Sequence, residues 1–153
     1  MSRLALPSRL ILAGFFLYAG VDKVLHPADF ASQVAAYRLL PASLVTLVAV
    51  WMPWTELLAG SFLAFGLLAE SSALVLGLLS LGFAGGTASA VLRGMSIECG
   101  CFSTSASGPV SWGHVALDLV LVGLAAVVLL RGPGPGALDR LLPADEAPPA
   151  SPP

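Results

Sequence analysis

The chain has 153 residues, of which 57% are hydrophobic and only 10% charged, with a mean hydropathy of +0.90. A soluble domain carries about 25% charged residues, so a water-facing fold of this size has nowhere to put so much apolar surface, and lipid must be part of the solvent. A net charge of −2 without a basic run leaves no electrostatic case for nucleic acid.

Four apolar stretches follow one another at 7–25, 44–68, 73–92 and 112–130. A helix needs roughly 20 residues to cross about 30 Å of hydrocarbon, and a lipid-exposed backbone must satisfy its own hydrogen bonds. The expected fold is therefore all-α, an integral membrane bundle of four helices running up, down, up and down. The domain is expected over 1–131, followed by a disordered tail over 132–153 that is rich in proline and glycine and carries no chemistry. A signal peptide is the alternative for the first stretch, but no A-x-A-like cleavage site follows it and Asp22-Lys23 comes next.

In chain order, Pro7 suits the first helical turn and Arg9 is placed to snorkel to the headgroups. His26-Pro27 breaks the first helix. Phe30, Val34, Tyr37 and Leu40 share the spacing of a short amphipathic surface helix, with Asp29 and Arg38 towards water. Pro53 is expected to kink the second span. Glu56 falls about 18 Å along that span, and a carboxyl at such depth must face the bundle interior. Glu70-Ser71-Ser72 is read as the next tight turn. Gly82, Gly86 and Ala90 form a small-residue face suited to close helix packing. Ser111 is the expected N-cap of the fourth span, and His114 and Asp118 then fall at i and i+4, where Asp118 can orient the imidazole.

The only two cysteines, Cys99 and Cys101, lie in the weakly apolar gap between the third and fourth spans. The topology gathers Asp22, Lys23, Arg93, His114 and Asp118 at that same face, with Glu56 farther down the bundle. A thiol must become a thiolate to attack a disulfide, and nearby cations such as Lys23 and Arg93 lower its pKa. Three readings of the pair stay open: a dithiol/disulfide that exchanges electrons with a partner, a structural disulfide pinning the loop, or a soft-metal clip. A closed zinc site lacks ligands, since His114 and His26 are the only histidines, so no metal is assigned. Arg3, Arg9, Arg131 and Arg140 at one face outnumber Lys23, Arg38 and Arg93 at the other, which puts both termini in the cytoplasm and the cysteine loop outside. Cysteines in an oxidising compartment suit redox use.

These residues also resemble a known family. Gly20-Val21-Asp22-Lys23-Val24-Leu25-His26-Pro27, then Phe30, then Tyr37-Arg38-Leu39-Leu40-Pro41 looks like the opening of the MauE branch of DoxX-like membrane proteins. Pro53-Trp54-Thr55-Glu56-Leu57-Leu58-Ala59-Gly60 resembles its second-helix motif. Arg93-Gly94, Cys99-Gly100-Cys101-Phe102 and Val110-Ser111-Trp112 with Asp118 resemble its C-terminal half. The resemblance covers roughly 10–130. It implies a four-helix protein of the bacterial inner membrane, associated with methylamine utilisation. Such proteins help to mature the disulfide-rich small subunit of methylamine dehydrogenase beside a thioredoxin-like periplasmic partner. Taken with the residues, the expected activity is thiol–disulfide exchange at Cys99 and Cys101 with a thioredoxin-like or cysteine-rich extracytoplasmic protein. Glu56 would relay a proton or contact a quinone-like electron acceptor. A non-catalytic assembly scaffold with a structural disulfide, or a transporter of a small molecule or metal, is the alternative.

Overall fold

A computed structural model describes residues 4–97 and 108–140. Five α-helices follow in order: α1 (Ala5–Leu25), α2 (Pro27–Ala36), α3 (Ala42–Phe65), α4 (Ala69–Leu92) and α5 (Trp112–Arg131), with a short 3-10 turn at Leu138–Arg140. The described residues contain no strand. Helices α3, α4 and α5 are each long and apolar enough to cross a membrane; α1 and α2 meet that test only together, as a pair bent by 103°. The expected all-α architecture of membrane helices is thus present.

The bend follows from local chemistry. A residue before proline is pushed out of the helical region, and His26 adopts φ −126°, ψ 59° ahead of Pro27. Pro27 then serves as the first residue of α2, where a missing N–H costs nothing. His26 turns its backbone N–H and its Nδ1 onto the Asp22 carbonyl, at 3.1 and 3.0 Å. Phe30 and Gln33 face inward from α2 and Asp29 is exposed; the helix stops at Ala36, so Arg38 (φ +52°) and Leu40, expected on it, lie past its end and are exposed.

Antiparallel α1 and α3 meet on glycines. A Cβ at Gly20 would sit 3.0 Å from Leu57, and one at Gly60 would sit 3.2 Å from Leu17. This register brings the last residue of α1 level with about residue 52. Roughly the first ten residues of α3, about 15 Å of helix, therefore continue past the end of α1. Helix α2 folds across the gap so created. Elsewhere Gly77 packs on Ala125, 3.0 Å from where its Cβ would be, joining α4 to α5. The core combines Leu12, Phe16, Leu63, Leu76, Leu121 and Val128 with alanines. The outer faces carry Ile11, Leu47, Trp51, Leu58, Leu78 and Val120, all exposed. Large apolar side chains point outward and small ones mediate contact, as expected where hydrocarbon is the solvent.

Three sequence expectations are corrected at the end of the bundle that carries the termini. The turn between α3 and α4 is Gly66-Leu67-Leu68 rather than Glu70-Ser71-Ser72. Gly66 (φ +69°) and Leu68 (φ +46°) take left-handed conformations, and α4 already starts at Ala69 with Glu70 in its first turn. The cause is remote in sequence: the Asp139 carboxylate accepts the backbone N–H groups of Leu68 and Ala69 at 2.7 and 2.9 Å. The Asp139 N–H is donated back to the Gly66 carbonyl at 2.9 Å. Arg9, expected to snorkel, is instead buried and donates from Nη1 to the Pro133 carbonyl at 2.8 Å. Residues 132–139, read from composition as the start of a tail with nothing to pack on, thus lie against this end of the bundle.

Candidate functional site

Helix α1 places Lys23 and helix α3 places Glu56 inside the bundle, and the two meet. The Lys23 ammonium donates to both oxygens of Glu56, at 3.0 and 2.8 Å, with the side chains 1% and 0% exposed. The Lys23 Nζ also lies 5.4 Å from the ring centroids of both Phe30 on α2 and Phe83 on α4. Such distances are within cation–π range. Four helices thereby converge on one ammonium. Phe83 lies nine residues before the end of α4, so the pair sits about 13 Å below that end.

Charges at that depth persist only when paired and hydrogen-bonded. Both carboxylate oxygens are engaged, which spends the Lys23 charge locally. The sequence reading placed Lys23 at the mouth with the cysteines and Glu56 below. The early end of α1 instead draws Lys23 down to Glu56.

The other predicted polar residues lie on α1, on α5 and at the end of α4. Asp118 is buried on α5. His114, one turn nearer the helix start, has Nδ1 3.0 Å from the Ser111 hydroxyl, and Ser111 occupies the expected N-cap position. Asp22 lies beside His26, with 3.6 Å between Oδ1 and Nδ1. Arg93 ends α4 and donates from Nη2 to the Tyr37 carbonyl at 2.6 Å, tying α4 to the end of α2. Its Nε reaches back to Ser89.

Cys99 and Cys101 lie outside the described residues, within the gap 98–107. What is described is the base of their loop. Gly94, at φ +67°, turns the chain out of α4, and the Val110 N–H is donated to the Ile97 carbonyl at 2.8 Å. The two ends of the cysteine-bearing segment are thus joined at the end of the bundle where α4 stops and α5 starts. Among the described residues no three His, Cys, Asp or Glu side chains gather as a metal site would require.

The second feature of this end is a cavity of about 280 Å³ between α2, α3 and α4. Phe30 and Phe83, the rings beside Lys23, also form part of its wall. Sequence reasoning missed it, because it exists only where α1 stops short and α2 crosses over. The one available signal was His26-Pro27 following so soon on Lys23.

The apolar helices, their lipid-facing surface and the buried ion pair define an integral membrane protein of the helical-bundle class. Within that class the chain belongs to the family described as methylamine utilisation protein MauE, which matches residues 1–131. It is 36% identical to methylamine utilization protein MauE of Paracoccus denitrificans over 121 residues, 78% of this chain and 65% of the relative. Identity is 35% to the MauE protein of Paracoccus versutus, over 87% of this chain and 73% of that one. It is 32% to that of Methylophilus methylotrophus, over 81% and 66%. The chain thus spans roughly two thirds to three quarters of the length of these relatives. No solved structure matches it significantly.

Proposed function

We propose that this protein serves methylamine utilisation as a membrane-embedded thiol–disulfide exchange protein, with Cys99 and Cys101 as its redox pair. The observation that carries the reading is the setting of the pair. The chain's only cysteines stand one residue apart, in a segment whose ends are joined between Ile97 and Val110. Two cysteines separated by a single glycine close a small ring, and strained disulfides exchange readily. The family match spans this segment and the relatives bear the name of methylamine utilisation proteins, which supports the assignment to that process.

In the exchange, the thiolate of one cysteine attacks a partner disulfide and forms a mixed disulfide, expelling the other partner sulfur as thiolate. The second cysteine attacks the mixed disulfide, closes the Cys99–Cys101 bond and releases the reduced partner. Run in reverse, the same steps oxidise a partner dithiol. Arg93, at the end of α4 and four residues before Ile97, favours the thiolate electrostatically, and His114 and Asp118 of α5 pass protons. The partner is a thioredoxin-like or cysteine-rich protein outside the cytoplasm, and the membrane is the bacterial inner membrane with the cysteine loop outward.

Trapping tests the reading. Cys99→Ser or Cys101→Ser, expressed in the native host, is expected to accumulate a covalent adduct that a reductant dissolves on a gel. If neither variant forms an adduct and the double variant supports growth on methylamine as well as the parent, the exchange role is wrong.

A further inference from the structure

We propose that α2 is a hinged gate that admits water to the Lys23–Glu56 pair from the end of the bundle where α4 stops. Lys23 lies two residues before the end of α1, and beyond that end the space beside α3 is crossed by α2. Phe30, 2% exposed, is the α2 side chain set against the ammonium, its ring centroid 5.4 Å from Nζ. Lifting α2 takes this ring away and opens the cation to the aqueous side. Packing beneath α2 is incomplete, because the cavity of about 280 Å³ separates part of it from α3 and α4. Segments with few buried contacts are the ones that open ahead of the rest of a fold.

Both ends of α2 suit such a movement. At the first, the chain bends by 103° at His26, whose φ is −126° and ψ 59°. The His26 N–H is donated to Asp22 of α1 and its carbonyl accepts the Phe30 N–H of α2, each at 3.1 Å. Pro27 brings no N–H to the junction. A rotation about the His26 Cα–C bond therefore swings α2 with both of these bonds kept. At the second end, the Tyr37 carbonyl accepts from Arg93 Nη2 at 2.6 Å, which latches α2 to the end of α4. The next residue, Arg38, is held at φ +52°, a left-handed conformation that costs any residue but glycine. Strain kept beside a latch is released when the latch opens.

The consequence falls on the ion pair. With α2 down, the Lys23 and Glu56 side chains are 1% and 0% exposed. With α2 lifted, Nζ gains water and keeps Glu56, because α1 and α3 are joined through Gly20 and Gly60 without help from α2. The gate thus controls the solvation of a buried charge while the bundle stays packed. No cysteine takes part, so the inference stands apart from the exchange reading.

The test joins amide hydrogen exchange to thiol modification, using the full chain in phosphatidylcholine nanodiscs. Arg93→Gln cuts the latch and should speed exchange over 30–36 about tenfold. Arg38→Gly relieves the strain of the closed position and should slow it about fivefold. Exchange over 73–84, in the middle of α4, should stay as in the parent in both variants. Met52 lines the cavity and lies level with the end of α1. Met52→Cys in a Cys99→Ser/Cys101→Ser background reports water entry through its reaction with a permanently charged methanethiosulfonate, which does not enter lipid. That rate should rise with Arg93→Gln and fall with Arg38→Gly by the same factors. If Arg93→Gln does not fold, Arg38→Gly decides the matter alone. Exchange over 73–84 that speeds up together with 30–36, exchange over 30–36 that Arg38→Gly does not slow, or a thiol rate indifferent to Arg38→Gly would overturn the proposal.

Discussion

At the scale of single residues, Lys23 and Glu56 set the energetic stakes. Taking an ammonium and a carboxylate out of water costs several kcal/mol each, and the return depends on their mutual contacts. Here those are two hydrogen bonds and two flanking rings. Lys23→Met leaves Glu56 charged and alone at depth. It is expected to destabilise the bundle by about 3–5 kcal/mol in reversible unfolding from detergent into SDS. Lys23→Met with Glu56→Met removes both charges and should recover most of that loss. A double variant as unstable as the single one would show that the stability lies elsewhere at these positions. If growth on methylamine falls in the restabilised double variant, the ion pair serves function rather than folding.

Residue by residue, the sequence made Glu56 conspicuous, because a carboxylate inside an apolar run must find a partner. It did not reveal which partner. That choice depends on where α1 ends relative to α3, a matter of helix register that no local pattern encodes. Asp139 was invisible for a related reason. A carboxylate in a stretch rich in proline and glycine reads as solvated, and only three-dimensional proximity makes it a cap for α4. Asp139→Ala should cost about 1 kcal/mol, seen as a lower thermal midpoint in detergent, while Asp139→Asn should cost less because its side-chain oxygen still accepts.

At the scale of elements, the apolar runs at 44–68, 73–92 and 112–130 mark out α3, α4 and α5 because period and length both survive in the chain. Their ends were harder to place. Gly66 ends α3 by adopting a left-handed conformation, yet an apolar Leu67-Leu68 pair after it masks the break, so the polar Glu70-Ser71-Ser72 drew the turn forward. The α1–α3 contact makes a sharper prediction. Gly20 has Leu57 side-chain atoms 3.0 Å from where a Cβ would stand and Glu56 Cβ at 3.3 Å. Gly20→Val therefore forces α1 away from α3 at the level of the ion pair. The overpacking is expected to cost about 1–3 kcal/mol in the same unfolding assay. Gly82→Ala, where nothing lies within 4 Å, should cost nothing measurable.

At the scale of the whole molecule, composition alone established a lipid-embedded helical protein, and the order of its motifs pointed to the family that residues 1–131 match. The meeting of the ends of α1 and α4 with the starts of α3 and α5 at one end follows from alternating direction and was legible. The cavity was not, since it arises from a span that stops short and a helix that crosses over it. The functional account depends on which compartment that end faces, because thiol–disulfide chemistry with a maturing partner needs the oxidising side.

Labelling with a membrane-impermeant maleimide in intact cells after brief reduction measures that orientation directly. Cys99 or Cys101 should react from outside the cell, while a cysteine introduced as Leu68→Cys in a Cys99→Ser/Cys101→Ser background, at the α3–α4 turn, should react only after permeabilisation. The opposite pattern, with Leu68→Cys labelled in intact cells and the native pair protected, would contradict the account.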